Sequence, residues 1–144
     1  MIGTFALSSG FYDAYYNRAS LVRELVRREF AETFQKVDVI ATPVSPMVAW
    51  KIGKMDNDPL ANYMADIFTV PGALAGIPGL SVPAGYAAPA DDASLLLPVG
   101  LQIMGPKLGE EKVFTVAHVF EQAMKEKIAE KIGRASCRER VSSP

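Results

Sequence analysis

Apolar positions recur with helical spacing in two long stretches of the chain. Over residues 10–36 they return at steps of three and four, which predicts a helix with one buried face. That face comprises Tyr15, Ala19, Val22, Val26 and Phe30. The pattern returns over residues 110–130, where leading acidic side chains suit a helix N-terminus. The apolar face of this closing helix comprises Val113, Val116, Ala117, Phe120 and Met124.

Between these two helices, short apolar runs are bounded by turn-forming residues. Residues 37–41 predict a strand that must end near Pro43, because proline cannot donate to a central ladder. Residues 80–82 and 99–104 predict two further strands, separated by a polar surface turn at 91–94.

A second helix is predicted from its start signal. Asp58 suits the N-cap and Pro59 the first helical position. This helix should include residues Tyr63 through Phe68 and end before Pro71. Helices that alternate with strands indicate an α/β fold built in layers.

Composition narrows the class of protein. The 144 residues are 49% hydrophobic and 22% charged, which is typical of one globular domain. A net charge of -1 argues against a nucleic-acid surface, and the single Cys excludes an internal disulfide. No apolar run reaches the roughly 18 residues that a membrane helix needs, and no signal peptide is recognisable. We therefore expect a cytoplasmic protein, or an organelle-matrix protein in a eukaryote.

Reactive side chains are few, and most have an ordinary structural interpretation. Ser8 and Ser9 have no lysine or histidine nearby in sequence to act as a base, so a helix cap or tight turn is favoured. No other type of metal-binding side chain is clustered near His118 in the sequence. An exposed helix residue is therefore favoured over a metal ligand. Asp13 and Asp38 could cap or pair locally. The tyrosines at 12, 15 and 16 favour aromatic packing with one or two hydroxyl contacts.

Asp66 stands in an otherwise apolar stretch, between Ala65 and Ile67. A carboxylate in such a position is either exposed or held for a purpose, and the pattern alone leaves both open.

The end of the chain has a different character. Residues 132–144 contain three arginines and Cys137, with no apolar periodicity, which predicts a disordered or non-native tail. The run IGRASCRERV at 132–141 resembles translated sequencing-adapter DNA. We therefore expect residues 1–131 to form the domain and Cys137 to have no catalytic role.

Four segments resemble the amidase signature family: residues 3–16, 58–71, 74–83 and 97–105. The motifs AGIP at 75–78 and PVGLQ at 98–102 are general to that family. YDAYY at 12–16 and DIFTVP at 66–71 are more typical of its tRNA-dependent amidotransferase A subunits. The resemblance extends from the first residue to about Ala129.

This resemblance implies the C-terminal part of an amidase-signature α/β/α fold with a mixed central sheet. It also implies a Ser–Ser–Lys catalytic set upstream of Met1, so we expect no catalytic residue in this chain, which would be inactive alone. Because the sequence has no cluster of metal-binding residue types, we also expect no metal ligand. In such enzymes glutamine is hydrolysed through an acyl-enzyme. The ammonia reaches B and C subunits, where ATP and magnesium support conversion of Glu-tRNA(Gln) or Asp-tRNA(Asn) to the amidated form. No membrane is involved.

The resemblance assigns a role to one residue. Asp66 matches the acidic residue that holds the α-amino group of glutamine, through a charge-assisted hydrogen bond. The arginine for the substrate carboxylate would lie just before Met1. Ala73 departs from the family, which usually has Asn there, and the linker at 85–96 is somewhat long.

Two alternatives remain open from the sequence. A stand-alone amidase for small amides would share the family motifs but would have no α-amino group to hold. A non-catalytic binding or assembly module would need no nucleophile at all.

Overall fold

The computed structural model describes residues 16–52 and 58–132, and within them the chain forms four helices and three strands. Their bounds are α1 Asn17–Thr33, β1 Ile40–Pro43, α2 Pro59–Ala65, α3 Val70–Ala75, β2 Gly79–Ala87, β3 Leu97–Met104 and α4 Glu110–Ile132. The α/β class expected from the sequence is confirmed. Residues 1–15 and most of the predicted tail lie outside the described part, so nothing tests the boundary at 131.

The three strands form one sheet in the order β1-β3-β2, and both pairs are antiparallel. The longest predicted strand, at 99–104, is therefore the central one. Pro43 pairs with Leu101 at the end of β1, where an edge strand tolerates a proline. β2 is longer than predicted and continues past Pro83, with an irregularity before Gly85, whose φ is +130°. The resemblance implied a mixed sheet, which contains parallel as well as antiparallel pairs. Both pairs among the described strands are antiparallel.

One face of the sheet packs against α4. Ile103 is 1% exposed and forms the core with Val82, Val113 and Ala117. Half-buried neighbours complete this core: Val39, Leu80, Leu101 and Phe120. The predicted apolar face of the closing helix is confirmed except at Val116, which is 37% exposed because it lies beside the buried stripe and not on it.

The opposite face of the sheet lies against α3 and the turn that precedes it. Alternate side chains of a strand point to opposite faces, so Gln102 and Met104 face away from Ile103. Gly72 of α3 approaches Met104 so closely that a Cβ there would lie 2.9 Å from the sulfur. The described structure is thus layered as α4, sheet, then α3 with the turn that precedes it.

The capping signal is confirmed, but the helix that it begins is shorter than predicted. Asp58 Oδ1 accepts a hydrogen bond of 2.9 Å from the backbone N–H of Ala61. The helix ends at Ala65, and a separate helix begins at Val70 with Pro71 in its first turn. Proline is suited to that position because its missing N–H would have no partner in the helix anyway.

The prediction of a buried face on α1 is wrong for the described residues. None of its residues is buried, and Val22 is 59% exposed. The physical reason is that α1 lies against α3 and not against the sheet, with Arg23 Nε donating a 2.8 Å hydrogen bond to the carbonyl of Leu74. Val26 and Phe30 are half-buried, whereas Tyr15 lies outside the described residues.

The polar turn predicted at 91–94 is exposed, as expected. Asp92 Oδ1 accepts hydrogen bonds from the hydroxyl of Ser94 at 2.6 Å and from its backbone N–H at 3.0 Å. These bonds favour the ionised form and lower the pKa of the Asp92 carboxyl.

None of the helices in the described ranges is both long enough and apolar enough to cross a membrane.

Candidate functional site

A shallow groove lies where the segment after β1 passes the turn between α2 and α3. Its volume is about 410 Å³. The lining residues are Val44, Ser45, Met47, Val48, Ala49, Trp50, Ala65, Asp66 and Thr69. The groove is therefore mostly apolar, with a single carboxylate, which is the composition typical of a small-molecule site.

Asp66 lies at the C-terminal end of α2, and its side chain is exposed. Its backbone carbonyl accepts hydrogen bonds from the N–H of Thr69 at 3.0 Å, from the Thr69 hydroxyl at 3.2 Å and from the N–H of Val70 at 3.1 Å. Its carboxylate forms no hydrogen bond or ion pair with another residue of the described ranges. The turn thus fixes the backbone of Asp66 and leaves the carboxylate able to accept from a cation.

Two buried hydroxyl oxygens lack a hydrogen-bond partner among the described residues: Ser45 Oγ, which lines the groove, and Thr42 Oγ1, which does not. Buried polar atoms nearly always have a partner in folded proteins. Ser45 lines the groove together with Asp66, and it was not among the residues predicted from the sequence. The available signal was its position between Pro43 and Pro46, just after a strand.

Apolar side chains form the wall of the groove beside the carboxylate. Trp50 is 39% exposed and Met47 is 37% exposed, so both present surface that a bound molecule could cover. An apolar wall suits methylene groups, and Asp66 suits an ammonium group. Together they can bind a small amphipathic cation by its charged end.

The other residues considered from the sequence lie away from the groove. His118 is exposed on α4, the helix that covers the opposite face of the sheet. Asp38 pairs with Lys112 of α4, with 2.7 Å between Oδ1 and Nζ, and this hydrogen bond and the positive charge lower the pKa of the Asp38 carboxyl. Ala73 is exposed on α3. No group of three or more metal-ligating side chains occurs in the described part of the chain.

Several other candidates fall beyond the described ranges. Ser8, Ser9, Asp13, Tyr12 and Cys137 lie outside the described residues, as does Tyr15. Tyr16 is described and is 43% exposed.

A second depression, of about 430 Å³, lies at the end of α1. It is lined by Glu29, Glu32, Thr33, Lys36 and Val37. No buried polar atom without a partner lies there, in contrast to the groove at Asp66. Its lining is ordinary charged surface, so the groove is the better candidate.

Comparisons with known proteins show the family of the chain. The amidase family model matches residues 1–114. The A subunit of glutamyl-tRNA(Gln) amidotransferase from Prochlorococcus marinus is 51% identical over 123 residues, which cover 85% of this chain and 24% of that protein. The corresponding protein from Thermoanaerobacter pseudethanolicus is 54% identical over 125 residues, covering 87% and 24%.

A solved structure is also similar. The crystal structure of the A subunit of glutamyl-tRNA(Gln) amidotransferase from Thermotoga maritima superposes with a TM-score of 0.68 at 44% identity, over 85% of this chain and 25% of that one. The chain spans about a quarter of the length of the curated relatives that it matches. Sequence and architecture agree, and the chain belongs to the amidase family.

Proposed function

We propose that this chain contributes the site for the α-amino group of glutamine in the A subunit of a tRNA-dependent amidotransferase. The observation that carries the proposal is the Asp66 carboxylate, which lines an apolar groove and has no partner among the described residues. The similarity to proteins named as the A subunit of glutamyl-tRNA(Gln) amidotransferase supports the choice of enzyme.

The chemistry of the groove fits one end of glutamine. The α-ammonium group of the substrate would donate charge-assisted hydrogen bonds to Asp66, which are stronger than those between neutral groups. The substrate methylenes would lie along Trp50 and Met47. Asp66 would thus orient the substrate without taking part in bond cleavage.

The remaining parts of the reaction belong elsewhere in the proposed enzyme. A serine nucleophile, a second serine and a lysine would hydrolyse the side-chain amide through an acyl-enzyme. Ammonia would then pass to the B and C subunits in the cytoplasm. ATP and magnesium bound there would support amidation of Glu-tRNA(Gln) or Asp-tRNA(Asn).

A hybrid protein provides the experiment. Residues 1–132 would replace the matching quarter of the Thermotoga maritima protein, assembled with the other subunits of that enzyme; we call this the hybrid subunit. Ammonia release would be compared for glutamine, for glutaramate (glutamine without its α-amino group) and for propionamide.

We expect the hybrid subunit to prefer glutamine over glutaramate by roughly ten- to a hundredfold in kcat/KM, as for loss of a hydrogen bond to a charged group. Propionamide should be poorer still. Equal use of all three amides would contradict the proposal and favour a stand-alone amidase. No turnover of any amide, with the unmodified Thermotoga enzyme active in parallel, would favour a non-catalytic module.

A further inference from the structure

We propose that Gln102 is a positioning residue for Asp66, and that the amide of Gln102 sets where the carboxylate meets the substrate. This inference rests on the proposed function. The observation is a hydrogen bond of 2.9 Å from Gln102 Nε2 to the backbone carbonyl of Phe68, which lies 34 residues earlier in the chain. Phe68 is two residues from Asp66, in the turn that joins α2 to α3.

Gln102 is well placed to act as an anchor. It lies in β3, the central strand, opposite Thr42 on one side and Ser81 on the other. Because β3 pairs with β1 on one side and with β2 on the other, the strand that carries Gln102 is held by two ladders. The next residue, Ile103, is 1% exposed in the core. The side chain of Gln102 therefore reaches the turn from the central strand of the sheet.

The turn that Gln102 contacts is held together by its own hydrogen bonds. Its N–H groups at Thr69 and Val70, and the Thr69 hydroxyl, all bond to the carbonyl of Asp66. These bonds fix Asp66 relative to Phe68, but they do not fix either residue relative to the sheet. No residue of α2 is buried, so packing gives that helix little support. A bond from the sheet to Phe68 thus also positions Asp66.

The chemical type at position 102 also matters. A neutral amide donates to the Phe68 carbonyl without bringing a charge close to the Asp66 turn. A lysine or arginine there would compete with the substrate ammonium for the carboxylate. A leucine has a similar size but no donor, so it would remove the link and leave the sheet packing largely intact.

The test uses two substitutions in facing strands, each made in the hybrid subunit. Gln102→Leu removes the donor. Thr42→Val is the matched control, because Thr42 lies opposite Gln102 and its buried hydroxyl has no partner among the described residues. The readout is the ratio of kcat/KM for glutamine to that for glutaramate, which a general loss of folded protein would not change.

We expect Gln102→Leu to lower this ratio roughly tenfold, through a higher KM for glutamine with kcat nearly unchanged, since small misplacements of a binding group are costly. Thr42→Val should keep the ratio of the parent. A parent that prefers glutamine, combined with an unchanged ratio in Gln102→Leu, would overturn the role of Gln102 and leave the proposed function standing. A parent with no preference would instead overturn the proposed function, and the role of Gln102 in it.

Hydrogen exchange gives a second measurement that does not require activity. In Gln102→Leu, the peptide covering residues 66–70 should exchange faster than in Thr42→Val, whereas peptides from α4 should not change. Equal exchange of the 66–70 peptide in both variants would show that Gln102 does not hold the turn, and would overturn the inference.

Discussion

Gly72 of α3 lies so close to Met104 of β3 that a Cβ on the glycine would lie 2.9 Å from the methionine sulfur. This contact brings α3, and the turn before it, close to the sheet. We expect Gly72→Val to destabilise the hybrid subunit by about 1–3 kcal/mol, as for overpacking of a buried contact. Urea unfolding measures this change.

Gly72→Ala is the graded control for that experiment. The sulfur lies near the end of a flexible side chain, which can move to admit one methyl group. The alanine variant should therefore lose less stability than the valine variant. Valine and alanine variants both as stable as the parent would contradict the close approach.

The N-cap of α2 offers a second stability test. Replacing Asp58 with alanine removes the 2.9 Å bond to the Ala61 N–H and should cost about 1 kcal/mol. Asp58→Asn retains an acceptor and should cost much less. Urea unfolding of the two variants in parallel distinguishes capping from a simple effect of charge. Equal losses of stability in the two variants would argue for charge alone.

The ion pair between Asp38 and Lys112 predicts a pH dependence. The lysine lowers the pKa of Asp38 below its ordinary value of 3.8. Because the folded chain binds this proton less readily than the unfolded chain, the stabilisation is fully present above pH 3.8. It is lost as the pH falls through the lowered pKa.

Asp38→Asn should therefore be slightly less stable than the parent at neutral pH, and equal to it once the pH is below the lowered pKa of Asp38. Both side chains are exposed, so the difference should be small and should shrink in high salt. Thermal midpoints measured across this range provide the test. A difference that persists in acid would mean that the pair is not its source.

Exposed apolar side chains on α1 predict self-association of the 144-residue chain. Leu21 is 68% exposed and Leu25 is 58% exposed, and exposed apolar side chains one helical turn apart favour contacts between molecules. Leu21→Ser with Leu25→Ser should increase the monomer fraction in sedimentation velocity. Arg28→Ser, on the same helix, is the control and should not. A monomeric parent would contradict the prediction.

Much of the fold follows from local patterns. The central strand and α4 were predicted because burial on one face imposes a regular spacing on apolar residues. The N-cap role of Asp58 was predicted because an N-cap depends on only four neighbouring residues. The break between α2 and α3 was missed. Pro71 can end one helix or begin the next, and the sequence does not distinguish these cases.

The groove was less predictable. Ser45 and Trp50 lie in a segment without periodicity, and they meet Asp66 only because β1 pairs with β3 and the Phe68 turn lies against the same sheet. This proximity depends on contacts between residues that are far apart in sequence. The pattern of residues alone left Asp66 ambiguous, and its proposed role came from the resemblance to the family.

Substitution of Asp66 tests the proposed role of its carboxylate most directly. In the hybrid subunit, Asp66→Asn should lower the ratio of kcat/KM for glutamine to that for glutaramate by roughly ten- to a hundredfold, because only glutamine has the α-ammonium group. Asp38→Asn removes the same charge on the α4 side of the sheet and should leave the ratio unchanged. An Asp66→Asn variant that prefers glutamine as strongly as its parent would show that this carboxylate does not bind the substrate.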